Sequence, residues 1–138
     1  MMALSIPGPW WWFVLNVPPP WRKDVQSHRQ TPCHFRGWCL VHAPSVLEET
    51  AFRAACAFAR ERGVSYLPDF KTMRRGGIVG MVKVVDHVER HPSRWFSGKP
   101  VLVLERAEPE PFRPCKDGAG FFEPEFAPNW KPKGKVYA

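Results

Sequence analysis

Proline and glycine punctuate this chain so densely that few long regular elements can form: 16 prolines and 10 glycines fall among 138 residues. Proline removes a backbone donor and fixes φ, and glycine favours turns, so most of the chain must fold as short pieces. Two stretches still carry extended patterns. After Pro44, Ser45 is a candidate helix N-cap with Glu48 at the capping-box spacing. Leu47, Ala51, Phe52, Ala55, Cys56, Phe58 and Ala59 then form one apolar stripe up to a stop at Gly63. This predicts a helix to about Arg62 that supports the fold and does not itself carry a site. The second stretch, Ile78 to Val88, is rich in β-branched residues and predicts a long strand. Gly80 in its middle suits a bulge or a close approach by another backbone.

The shorter pieces complete the pattern. Ala3 to Ile6 and Val101 to Arg106 read as strands, Trp38 to Val41 as a short buried strand, and Gly120 to Phe122 as a last one. Pro9 suits the start of a short helix over Trp10 to Leu15. Pro18-Pro19-Pro20 is a stiff spacer, and Phe112 to Gly118 reads as a loop. One clear helix among several short strands predicts an α+β fold: a small, partly open β-barrel of about five to six strands with flanking helices. The domain is expected over residues 1–122, followed by a Pro/Lys-rich tail over 123–138 that is expected to be flexible.

The longest apolar run, Pro9 to Val17, is interrupted by Asn16. It is too short to span a membrane and lacks the basic start and small-residue cleavage site of a signal peptide. The expectation is a cytoplasmic monomer without membrane contact. Cys33, Cys39, Cys56 and Cys115 form no C-x-x-C pair and are expected to be free thiols. Twenty Lys and Arg residues against 13 Asp and Glu give a net charge of +7, which favours a polyanionic partner, nucleic acid first.

Candidate site residues concentrate between Lys23 and Ala43, where Lys23, Asp24, His28, Arg29, His34 and Arg36 precede an apolar strand. A polar segment feeding a buried strand is either a site wall or an ordinary solvated loop. Trp10, Trp12, Trp21 and Trp95 are candidate base-stacking side chains, each with core packing as the alternative. Three consecutive tryptophans spread around a helix axis, so either at least one lines a cleft or the surface, or the helix is wedged between sheet and loop with all three packed. Lys83 within the long strand either escapes at an edge or points into a cleft. His28, Cys33, His34, Cys39 and His42 are metal-ligand types, but their spacing matches no common zinc pattern. Neither metal nor cofactor is expected.

Several stretches taken in order resemble an ASCH domain of the PUA-like superfamily. They are Ala3-Leu4-Ser5-Ile6 with Pro9-Trp10, Lys23-Asp24-Val25, Phe35-Arg36-Gly37 with Leu40 to Ala43, and Gly76 to Val82. Trp95-Phe96 and Pro111 to Cys115 also fit small bacterial and phage members. The resemblance covers roughly residues 3–122. It implies a cleft between a β-barrel and its helices that faces nucleic acid or a nucleobase, with a G-x-K-x-x-E-x-R signature. Lys23 matches the lysine, Gln26 stands at the acidic or hydroxyl position, and Arg29 matches the arginine with one extra residue. Lys83 replaces an acidic residue that relatives often carry.

These replacements disfavour catalysis, because Gln26 cannot take a proton and Lys83 cannot act as a carboxylate. Lys23, Gln26, Arg29, Arg36 and Lys83, with Trp10 and Trp21, are therefore expected to bind RNA, single-stranded nucleic acid or a modified nucleoside. The alternative that the resemblance leaves is an amidohydrolase or ribonuclease acting on modified nucleosides or RNA. In it Lys23 would be nucleophile or base, and His28, His34 or His42 would supply acid-base help.

Overall fold

The computed structural model describes residues 1–126. In chain order the elements are β1 (Ala3–Ser5), α1 (Trp10–Asn16), β2 (Val25–Ser27), β3 (Gly37–Ala43), α2 (Glu49–Glu61), β4 (Gly77–Val88), β5 (Val101–Pro114) and β6 (Phe121–Phe122). The strands form one sheet in the order β2-β5-β4-β3-β1-β6, parallel only between β1 and β3. The sheet curls until its two edges approach each other without pairing. His28, just past β2, meets Phe121 of β6 with ring centroids 5.4 Å apart. The result is an α+β half-barrel with a seam between its edge strands.

The hollow of the sheet is filled by α1. Phe13, Val14 and Leu15 are buried against strand residues that include Val41, Val82, Val84, Leu102 and Leu104. Burying side chains of this size is the main driving force available to a chain with so little regular structure. α2 packs on α1 through Phe58, whose ring lies 5.7 Å from that of Trp10. Side chains alternate along the middle of β4: Val82 and Val84 are buried, whereas Met81 and Lys83 are half-exposed.

Gly80 has the role its place in the strand suggests. A Cβ there would lie 2.6 Å from the Leu15 methyls and 2.7 Å from the Glu108 carbonyl oxygen, and the β4–β5 register shifts beside it. Gly80→Ala must therefore displace backbone. It is expected to cost about 1–3 kcal/mol, measured as a lower urea midpoint at unchanged slope.

Two local expectations need correction. The cap of α2 is Glu48, not Ser45. The Glu48 carboxylate accepts from the amides of Thr50 at 3.0 Å and Ala51 at 2.9 Å. Those bonds hold its carboxyl below the usual range, Ala51 contributing most. Ser45 is engaged elsewhere, by Asp117. The expected loop from Phe112 is strand as far as Pro114, and Cys115 then bridges to Phe126. The first residues of the expected tail, 123–126, thus run back along the end of β5, with Lys116 and Glu125 paired at 3.2 Å. The remainder, 127–138, lies outside the described residues. Among the described residues no helix is long and apolar enough to cross a membrane.

Candidate functional site

A cleft of about 590 Å³ opens at the seam. β2 and the residues flanking it line one side with Lys23, Gln26, Ser27 and His28, and Leu4, Ser5 and Gly120 line it from the other edge of the sheet. Trp10 of α1, Phe58 of α2 and Trp95 close its inner end, and Arg29 and Lys99 stand exposed at its mouth. Among the described residues no Asp or Glu lines it, whereas a smaller cavity on the other side of α1, about 330 Å³, includes Asp69 and Glu110.

Lys23 is the unusual residue. Its backbone amide donates to the Phe13 carbonyl at 3.1 Å, tying the approach to β2 onto α1. Its side chain is 5% exposed. Nζ donates to the Val25 carbonyl and, at 2.7 Å, to Gln26 Oε1, and it sits 5.6 Å from the centroid of Trp10. The neighbouring Asp24 is turned away to accept from Ser93 Oγ. Burial pushes the Lys23 ammonium down to about 7, opposed by the charge of Asp24. At neutral pH the cleft therefore holds an amine divided between its charged and free-base forms. Gln26, 8% exposed, has its oxygen engaged by Lys23, which leaves its NH₂ for an acceptor in the cleft.

His28 is held below the usual histidine range, first by burial and then by the neighbouring His87 ring 5.6 Å away. Trp95 is 4% exposed and its Nε1 donates to the Trp21 carbonyl at 3.1 Å. Its ring packs 5.0 Å from Phe13, which fixes the aromatic end of the cleft.

The structure gathers Lys23, Gln26, Arg29 and Trp10, and it places three other candidates elsewhere. Lys83 lies two strands in from β2, registered opposite Trp38 and Glu105. Alternation directs it away from the buried Val82 and Val84, so it does not reach the cleft. Arg36 is exposed and donates to the Cys33 and Phe35 carbonyls, with Asp86 3.5 Å away. Trp21 stacks under the Arg94 guanidinium at 4.2 Å, beside the end of α2.

Of the three tryptophans of α1, Trp10 lines this cleft, while Trp11 and Trp12 line the smaller cavity. Phe58, on a helix expected only to support the fold, is a wall of the site. Lys99 and Ser5 are further lining residues that sequence reasoning missed. Lys99 had a signal, a cation in the Gly98-Lys99-Pro100 turn, and Ser5 had none.

The metal-ligand types are dispersed. His34 is exposed, Cys39 and His42 are buried, and burial pushes the Cys39 thiol up to about 12. Among the described residues no three His, Cys, Asp or Glu side chains converge as metal ligands, and all four cysteines are free. No protein-family model matches the chain, and no curated protein matches it.

Proposed function

We propose that the chain is a nucleic-acid-binding module of the PUA-like, ASCH type, and that it takes one base of a single strand, RNA first, into the seam cleft. The observation that carries this reading is the composition of the cleft: buried Lys23 and Gln26 within, cations at the mouth, aromatic rings at the inner end and, among the described residues, no carboxylate. Anionic phosphates suit Arg29 and Lys99 at the rim. A planar base presents a face to Trp10 or Trp95 and acceptors to the Lys23 and Gln26 donors.

The test is fluorescence anisotropy with labelled single-stranded RNA, single-stranded DNA and duplex at two salt concentrations. Lys23→Ala removes a buried, partly charged donor and is expected to weaken single-strand binding about 10- to 100-fold. Arg29→Ala with Lys99→Ala is expected to reduce the slope of log affinity against log salt by about 1.4. Binding that is insensitive to salt and to both changes would end this reading.

A second reading, hydrolysis of a modified nucleoside or RNA, is favoured by the partly free-base amine of Lys23. Loss of an acyl group from an acylated cytidine, abolished by Lys23→Ala, would support it over simple binding.

A further inference from the structure

Behind Ser5, one of the residues that line the cleft, lies a different chemistry. His42, in β3, is fully buried. Its Nδ1 lies 3.4 Å from Ser5 Oγ in β1, and its Nε2 lies 3.4 Å from Asp117 Oδ1 in the segment after β5. The Phe122 ring packs edge-on against the imidazole with centroids 5.1 Å apart. Asp117 is oriented in turn by Ser45, whose amide donates to Oδ1 at 3.1 Å and to Oδ2 at 3.2 Å and whose hydroxyl donates to Oδ2 at 2.5 Å.

A carboxylate beside Nε2 keeps the ring proton on that nitrogen and leaves the Nδ1 lone pair for the Ser5 hydroxyl. Burial holds the ring below the usual histidine range, against the pull of Asp117, which favours the neutral imidazole. A histidine kept only for the core would normally have its buried nitrogens satisfied. Here Nε2 faces a carboxylate but makes no hydrogen bond of ordinary geometry. Slack of this kind is usual for a nucleophile, its base and the group that orients the base before a ligand is present. Ser5 meanwhile lines the Lys23 cleft.

We propose that Ser5, His42 and Asp117 form an acyl-transfer relay that hydrolyses an ester or amide acyl group carried by a ligand in this cleft. The proposal rests on the reading of the cleft as a ligand site. It makes Ser5 the nucleophile, His42 the general base and Asp117 a positioning residue. The Ser5 Oγ–H proton moves to His42 Nδ1 as Oγ forms a bond to the acyl carbon. The acyl bond to the leaving oxygen or nitrogen breaks, and His42 returns the proton to that atom. Water then attacks the acyl-Ser5 ester, giving a proton to His42. The carboxylic acid departs, and Ser5 recovers its hydrogen.

The experiment treats the full chain with a fluorophosphonate probe, which forms an O–P bond to an activated serine and releases fluoride, and reads the adduct by peptide mass. One adduct on Ser5 is expected, absent in Ser5→Ala. Asp117→Asn is expected to slow adduct formation by on the order of 100-fold. It is also expected to move the pH midpoint of the rate downward. Asp117 is a charged group 3.4 Å from the ring, which also meets Ser5 and Phe122, and loss of its charge makes the imidazolium harder to form. A merely structural Asp117 would leave that midpoint in place.

No adduct on Ser5, or an adduct whose rate and pH midpoint are unchanged in Asp117→Asn, overturns the relay. Anisotropy with single-stranded RNA on the same wild-type preparation separates the two ideas. Binding without an adduct removes the relay alone, and an adduct without binding removes the nucleic-acid reading alone.

Discussion

Lys23→Met is expected to flatten the dependence of stability on pH between about 7 and 10.5. In the unfolded chain the amine keeps its ordinary proton affinity, whereas in the fold burial lowers it to about 7. Between those limits the unfolded state binds more protons, so raising the pH favours the folded state. Below about 7 both states are protonated and the full destabilisation is present. Above 10.5 both are neutral and it has vanished. With these limits the wild-type chain gains about 3 kcal/mol from this group between pH 6 and pH 9.5.

Methionine keeps the aliphatic stem and has no proton to lose, so the variant should lack that increment. It also leaves Gln26 Oε1 and the Val25 carbonyl without the Lys23 donor. That loss offsets part of the gain at acid pH but has no pH dependence of its own. Urea denaturation of both proteins at the two pH values measures the difference. Equal slopes in the two proteins would mean that Lys23 keeps an ordinary ammonium in the fold and no partly free-base amine.

Phe13→Ala is expected to be the most destabilising single truncation near the cleft, at about 3–5 kcal/mol. Phe13 is fully buried, and its ring lies 5.0 Å from Trp95, 5.8 Å from Trp12 and 6.2 Å from Trp10. Truncation leaves a cavity that three large, rigid rings cannot easily close, so little of the cost is recovered by relaxation. A loss of that size is a large share of the stability of a typical small domain. Phe13→Leu keeps most of the volume and is expected to cost no more than about 1.5 kcal/mol. Denaturation midpoints at unchanged slope measure both. Similar, small losses for the two variants would show that the aromatic cluster can repack, and that Trp95 and Trp10 are held in the cleft wall by something other than Phe13.

Local pattern made the core elements legible. α2 showed in its apolar stripe and in Gly63, and β4 in its β-branched run with Gly80 at a close approach. β5 runs past Arg106, where the expected strand ends, through Pro109 and Pro111 to Pro114. Beyond Leu104, β5 has β4 on only one side, since β2 is just Val25–Ser27. A proline there can direct its missing N–H away from the ladder.

Half of the site was legible because Lys23, Gln26 and Arg29 sit within one short segment. The other half comes from contacts distant in sequence: Lys99, Phe58 and Ser5 arrive from three elements that share no motif. Lys83 and Arg36 had the right charge, but whether a side chain faces the cleft depends on which face of the curled sheet it occupies. No local spacing encodes that. Glu48 displaced Ser45 as the helix cap for a similar reason, since Asp117, far along the chain, claims the serine.

The order of strands across the sheet also has a consequence for biosynthesis. β2 hydrogen-bonds only to β5, and β6 is added last, yet these two edges flank the cleft. As the chain leaves the ribosome, α1, β3 and β4 emerge with nothing yet to hold Lys23 opposite Ser5. The cleft is therefore complete only once both edge strands are in place, after Phe122 has been made. Nascent chains arrested before that point should carry the tryptophans and the lysine without the cleft that joins them.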